Sequence, residues 1–300
     1  MLSALIKLLP IFIFGFIGWL LRNKNIVNLK APSRLLKFGF FVLAPFIVFQ
    51  AMASIEYRSS LIVFPIFALL LGAFGFIAGV LTTKNYEFDN LRKIIVIMSA
   101  MFVNVPFALT FLLSRFGTEV NSRVILFNII NLPIVYGLGH FLAARSNPEK
   151  HKEKPVLKKI MFSSPLWGLL IGFAFSLTSL KIPKSLNPVF NSIAILIVIV
   201  ASLAIGMFIT FSKKYFKESI IAMTPRYVTS MIIALIFVSV LDLAKLETTI
   251  ILVLGCAPVG FSTLTFAHLE KLDEKFAANT LGLSLLISCV LTSAVLILTS

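Results

Sequence analysis

The chain has 300 residues, 59% of them hydrophobic and only 13% charged, with a formal net charge of +15. Soluble domains run at about 45–50% apolar and about 25% charged, so a soluble fold of this size cannot cover so much apolar surface, whereas a bilayer can. The basic residues sit between apolar stretches, the distribution that membrane orientation produces, which sets nucleic acid aside as a partner.

A helix needs about 20 mainly apolar residues to cross the hydrocarbon. Ten stretches qualify, near 3–21, 35–53, 61–82, 94–114, 122–144, 158–179, 189–211, 218–240, 246–268 and 276–298. The first is followed by Arg22 and Lys24 with no small-residue cleavage site, so it reads as a retained helix. The second ends near Gln50, an amide that ranks as a weaker ligand candidate. The fourth contains Pro106. The fifth carries Asn128 and Asn131 at mid-span and His140 near its end. Between the fifth and sixth, Asn147-Pro148-Glu149-Lys150-His151-Lys152-Glu153-Lys154-Pro155 is polar and proline-bounded, which makes it a linker. The predicted division is therefore a first five-helix unit at 1–145, a linker at 146–157 and a second five-helix unit at 158–300. The eighth stretch holds Arg226 and the ninth Pro258. Cys256 and Cys289 both lie in apolar stretches, with neither a disulfide framework nor a Cys/His metal spacing. No cofactor is expected.

Of the 27 Lys and Arg residues, nineteen are assigned to one side of these spans and seven to the other, and only Arg226 to neither. The richer side belongs in the cytoplasm. Both termini are then extracytoplasmic, and the linker faces in.

An odd number of helices per half forces the second half to enter from the opposite face, so similar halves form an inverted repeat. The fourth stretch reads Asn104-Val105-Pro106, then Leu109-Thr110-Phe111; the ninth reads Cys256-Ala257-Pro258, then Leu264-Thr265-Phe266. A proline removes a backbone donor and clashes with the carbonyl four residues back. In lipid the freed groups need partners, and interrupted helices at matching places in two halves point to a binding site. The alternative is a simple kink, since Pro45, Pro133 and Pro225 also lie in spans.

Four segments carry a resemblance. They are Leu9-Pro10-Ile11-Phe12 with Gly15-Phe16-Ile17-Gly18-Trp19-Leu20-Leu21-Arg22; Phe41-Val42-Leu43-Ala44-Pro45; Ser164-Pro165-Leu166-Trp167-Gly168-Leu169-Leu170-Ile171-Gly172; and Ala257-Pro258 with Ser262, Ala267 and Ala278-Asn279-Thr280. They resemble the auxin efflux carrier family of bacterial and plant transporters over the whole chain. The resemblance implies an all-α integral membrane fold of ten transmembrane helices in two inverted five-helix repeats, with broken helices four and nine crossing and the substrate held at the crossing. It also implies carboxylate substrates, dicarboxylates in bacteria and auxin in plants, carried across the cytoplasmic membrane. Where the family often has Asn seven residues before the helix-four proline and Gly two before it, this chain has Ser99 and Asn104.

The expected substrate-binding residues are Ser99, Asn104, Val105 and Pro106 at the first break, Ala257, Pro258, Ser262 and Thr263 at the second, and Asn128, Asn131 and Arg226. Asn128 and Asn131, spaced i, i+3, share one helix face; their amides can donate to a carboxylate or bond between helices. Hydroxyls after a break can equally bond their own backbone. An arginine at mid-span costs at least about 2.5–3.5 kcal/mol and offers a carboxylate two parallel hydrogen bonds; the alternative is snorkelling or bonding to carbonyls freed by Pro225. No Asp or Glu lies deep in any span, since Glu56, Glu218 and Asp242 are near ends, so no ion-coupling site is legible. The leading function is a secondary carrier of small organic anions working by alternating access. The runner-up is a sodium-coupled symporter of the bile-acid type. A polytopic membrane enzyme ranks lower, because no nucleophile–base pair or metal-ligand motif is present. The expected partners are a small organic anion and membrane lipid, with a homodimer left open.

Overall fold

The computed structural model describes residues 2–28, 30–54, 61–146, 162–178, 180–208 and 213–299. The expected linker lies outside them apart from Ser146, as does the start of the sixth stretch. The described residues are helical almost throughout. The helices are α1 (Leu2–Asn23), α2 (Ala31–Ala53), α3 (Val63–Asn85), α4 (Asn90–Met101), α5 (Val105–Phe116), α6 (Asn121–Ser146), α7 (Ser164–Ser176), α8 (Asn187–Phe208), α9 (Lys213–Val240), α10 (Lys245–Gly255), α11 (Ser262–Leu269) and α12 (Glu274–Leu298). Six of them, α2, α3, α6, α8, α9 and α12, are long and apolar enough to cross a membrane. The fourth and ninth stretches are each split, into α4 and α5 and into α10 and α11.

Local chemistry sets many of these ends. Asp89 caps α4 by accepting from the Arg92 amide, and Asp273 caps α12 by accepting from that of Phe276. Gly117 ends α5 at φ +62°, a conformation that favours glycine. Two spans hold their proline by widening instead of breaking. α2 is π-helical over Gly39–Leu43 just before Pro45, and α6 over Pro133–Gly139. Pro45 has no N–H for the carbonyl of Phe41, and the Ser164 hydroxyl at the start of α7 donates to that oxygen at 3.0 Å.

The helices gather into two bundles, each drawn from both halves of the chain. α1, α2, α7 and α8 form the smaller one. Its helices approach closely through glycines: a Cβ at Gly206 would run into the carbonyl oxygen of Gly15, and one at Gly168 into that of Pro45. Without a hydrophobic drive between helices in lipid, small residues that admit close backbone contact hold such pairs. The larger bundle packs α3, α4 and α6 against α9, α10 and α12, around a core that includes Phe64, Phe67, Phe127 and Ile251. Its outer surface exposes Ile66, Leu69, Ile77 and Leu81 on α3 and Leu286, Val290 and Ile297 on α12, an apolar face that suits lipid.

Candidate functional site

The two breaks lie side by side. Val103 and Val259 form an antiparallel bridge; the Asn104 amide donates to the carbonyl of Pro258 at 3.0 Å, and the Gly260 amide to that of Phe102 at 3.0 Å. Backbone groups released by one broken helix are thus satisfied by the other. The proline positions differ from the sequence expectation in one respect. Pro258 lies within its gap, between Gly255 and Ser262, whereas the first gap is at 102–104 and Pro106 sits in the opening turn of α5. There its missing N–H would have been unpaired in any case.

The remaining freed groups are met from the helices behind. Pro258 deprives the Leu254 carbonyl of its helical donor, and Arg226 Nη2 donates to that oxygen at 3.1 Å. One turn along α9, Ser230 Oγ lies 2.6 Å from the Gly255 carbonyl and 2.6 Å from that of Arg226. The Val259 amide donates to Ser284 Oγ of α12 at 3.1 Å. On the other break, Asn104 Oδ1 caps α5 by accepting from the Phe107 amide at 3.3 Å. Its Nδ2 has no partner, and the side chain is 1% exposed.

A cavity of about 1260 Å³ runs between the two bundles. It begins at the breaks, where Val103, Asn104, Val105, Pro106, Gly260 and Ser262 line it, and extends to the helix ends at Ser54, Asn121 and Asn187. Its polar wall near the breaks and along α6 carries the amides of Gln50, Asn104, Asn128, Asn131 and Asn191 with the hydroxyls of Tyr136, Ser262 and Thr265, and towards the helix ends it includes Glu119 and Arg123. Asn131 Nδ2 donates to Asn128 Oδ1 at 3.3 Å, which leaves the Asn128 NH2 available as a donor. The N-terminal turns of α5 and α11 both reach the cavity, bringing the positive ends of two helix dipoles to one place.

Of the sequence candidates, Asn104, Val105, Pro106, Asn128, Asn131 and Ser262 share this cavity. Ser99, Ala257, Pro258, Thr263 and Arg226 are buried behind it, and the hydroxyls of Ser99 and Thr263 have no partner. Arg226 is 1% exposed and bonds the Leu254 carbonyl, four residues before Pro258, where the alternative reading of the sequence had a carbonyl freed by Pro225.

Sequence reasoning passed over Arg123, which lines the cavity near the helix ends. Its Nε and Nη2 donate to Glu247 Oε1 at 3.0 and 2.7 Å, tying the start of α6 to the start of α10. At the other end of the larger bundle, Arg92 ties the start of α4 to Asp273 and Glu218 at 2.7 Å each, joining α12 and α9. The sequence also gave no buried acid, yet Glu270, just past α11, is 3% exposed. Among the described residues, no group of three or more His, Cys, Asp or Glu side chains is placed to hold a metal.

Apolar helices with a lipid-suited exterior around an amide-lined interior chamber belong to a multi-pass membrane protein of the transporter class. A family model described as membrane transport protein matches residues 3–296, and the chain belongs to that family, the auxin efflux carriers. A search of curated proteins gives no match.

Proposed function

We propose that the chain is a secondary carrier of small organic anions, carboxylates in particular, and that the anion is held in the cavity at the paired breaks. The observation that carries this reading is the pairing itself. It brings two helix N-termini and the unpartnered amide of Asn104 to one polar chamber. Two N-terminal dipole ends favour negative charge, and neutral amides can take over the carboxylate's hydrogen bonds without adding a competing negative charge. The build of two bundles with the cavity between them supports alternating access, in which one bundle shifts against the other. The full proposal is ten spans in two inverted five-helix repeats, 1–145 and 158–300, with the split stretches as crossing helices four and nine and the termini outside. Under this topology a cysteine replacing His151 is labelled by an impermeant reagent only after the cytoplasmic membrane is opened; labelling of intact cells contradicts it.

Counterflow of labelled mono- and dicarboxylates in proteoliposomes, with and without sodium, tests the function. Exchange without sodium supports the carrier reading. A strict sodium requirement favours the bile-acid type of symporter, and no exchange of any carboxylate overturns the proposal. Asn104 provides a sharper probe. Asn104→Asp keeps the cap on the Phe107 amide but places a negative charge beside the anion. Asn104→Ser keeps the cap and removes the NH2. The expected result is loss of counterflow in the Asp variant and a KM raised about tenfold in the Ser variant, the equivalent of one charge-assisted hydrogen bond of about 1.4 kcal/mol. Normal counterflow by a folded Asn104→Asp protein removes Asn104 from the site.

A further inference from the structure

The floor of the cavity, on the side away from Ser54 and Asn187, is aromatic. Phe40, Phe102 and Tyr136 line the cavity, and Phe266 of α11 packs against all three at centroid distances of 5.7, 6.0 and 6.4 Å. Phe102 has a second role, as the first residue of the first break, where its carbonyl accepts from the Gly260 amide. Its side chain is fully buried. A Cβ on Gly260 would lie 3.0 Å from the Phe102 Cβ. The far end of the ring meets Gly139, the last residue of the π-helical stretch of α6. A Cβ on Gly139 would run into Cζ of that ring and would stand 3.2 Å from the carbonyl oxygen of Ile134, one π turn back. Gly139 itself is buried and does not line the cavity.

We propose that Gly139 is a positioning residue of the anion site. Its bare backbone is the socket for the Phe102 ring, and through Phe102 it fixes where the first break stands against the second. This rests on the carrier reading above. The argument is steric. The helix leading into the break has no slack, because α4 is seated on glycines of α3: a Cβ at Gly75 would crowd the Ala100 carbonyl, and one at Gly79 would stand 2.8 Å from Ile97 Cα. Close-packed interiors absorb an added methyl poorly where backbone stands behind it. With α4 held by α3 and Gly260 pressed on its Cβ, a ring expelled from the socket either turns into the cavity it lines or pulls the Phe102 carbonyl off the Gly260 amide. The first outcome narrows the chamber. The second moves Asn104, two residues on, whose backbone amide bonds Pro258 and whose Nδ2 has no partner.

The π-helical stretch belongs to the same device. A π turn widens the helix locally. This one runs from Pro133 to Gly139. It is braced by α3, where a Cβ on Gly72 would crowd the Ile134 side chain, and by the break, through Phe102 at Gly139. Asn128 and Asn131 lie just ahead of it on α6 and line the cavity. One socket therefore sets the spacing between the amides of α6 and the amide of the break.

The test measures counterflow KM and maximal rate per folded protein, with the full chain in proteoliposomes and the carboxylate that the wild type exchanges best. Gly139→Ala is expected to raise KM about tenfold, within the roughly hundredfold that a displacement of about 1 Å at a site can cost. Gly137→Ala in the same stretch, where a Cβ meets nothing within 4 Å, keeps the wild-type KM. Phe102→Leu withdraws the ring from the socket. Added to Gly139→Ala, it returns KM to that of Phe102→Leu alone, because groups in contact couple and separate ones do not. Additive effects in the double variant overturn the socket. So does a Gly139→Ala protein that fails to fold and is not restored by Phe102→Leu. A wild-type KM with a lowered melting temperature leaves Gly139 a packing residue and overturns the positioning role. A second measurement needs no substrate: amide hydrogen exchange, read by mass spectrometry on peptides covering 102–105 and 258–261, reports local opening of the paired breaks. Gly139→Ala speeds exchange in both peptides and Gly137→Ala in neither; unchanged exchange in Gly139→Ala overturns the proposal. If the wild type exchanges no carboxylate, the carrier reading falls and the anion site with it, while the hydrogen exchange still decides whether Gly139 holds the breaks in register.

Discussion

Arg226→Ala is expected to lose most carboxylate transport while leaving folded protein in the membrane. The guanidinium is fully buried, donates to the Leu254 carbonyl through Nη2, and has no partner at Nε. It stands directly behind the break that supplies Gly260 and Ser262 to the cavity. A unit charge about 8 Å from a bound anion, at an effective dielectric of about 20, contributes about 2 kcal/mol, or roughly thirtyfold in affinity. Arg226 is thus proposed as a source of positive potential acting through the break. Lys at this position keeps the charge but offers one compact donor in place of the fork, so Arg226→Lys recovers transport in part. Arg226→Met keeps bulk without charge and recovers none. Counterflow KM, measured alongside size-exclusion profiles, checks the series. Near-normal KM in a well-folded Arg226→Ala protein returns the residue to a purely structural role at the Leu254 carbonyl.

The second large effect is expected at Gly260. A Cβ added there lies 3.0 Å from the Phe102 Cβ and 3.5 Å from the Val103 carbonyl oxygen, and the Gly260 amide is one of the two hydrogen bonds that pair the breaks. Gly260→Val puts two further methyls into this contact. Overpacking of this kind costs about 1–3 kcal/mol, which lowers the melting temperature, and it pries the two breaks apart. Transport falls further than stability does, because the cavity floor is built on the pairing. Gly137→Ala on α6 is the control, since a Cβ there meets nothing within 4 Å. Thermal-shift and counterflow measurements on both variants check this. A Gly260→Val protein with wild-type counterflow shows that the register of the breaks does not set the site.

Much of the architecture was legible because membrane helices announce themselves by length. The apolar runs that became α2, α3, α6, α8, α9 and α12 need nothing from tertiary structure to be recognised. The breaks were legible as a pair of prolines with a shared Leu-Thr-Phe, but not their register. The first gap falls at 102–104, ahead of Pro106, because Phe102 and Asn104 are held by Gly260 and Pro258 of a chain segment more than 150 residues away. The π-helical turns were hidden for the opposite reason, since Pro45 and Pro133 look in sequence like any helix-breaking proline.

The candidate site shows the same division. Asn128 and Asn131 could be placed on one face from their spacing alone, and they do bond each other in the cavity wall. The cost of Arg226 was visible, but its partner was not, because the Leu254 carbonyl loses its i+4 helical donor only through Pro258, in a helix that the sequence does not place beside Arg226. Arg123 counted as a loop charge and Glu270 as a residue beyond a span. Their partners, Glu247 and His140, lie 124 and 130 residues away in sequence, and no local pattern encodes such a pairing.

The most direct measurement of the central claim is an experimental structure determined with a saturating concentration of the carboxylate that gives the strongest counterflow. The account predicts density for the carboxylate between the N-terminal turns of α5 and α11, within hydrogen-bond reach of Asn104 and of Asn128 or Asn131. Density seated instead on Arg123 at the far end of the cavity, or outside the cavity altogether with the paired breaks empty, contradicts it.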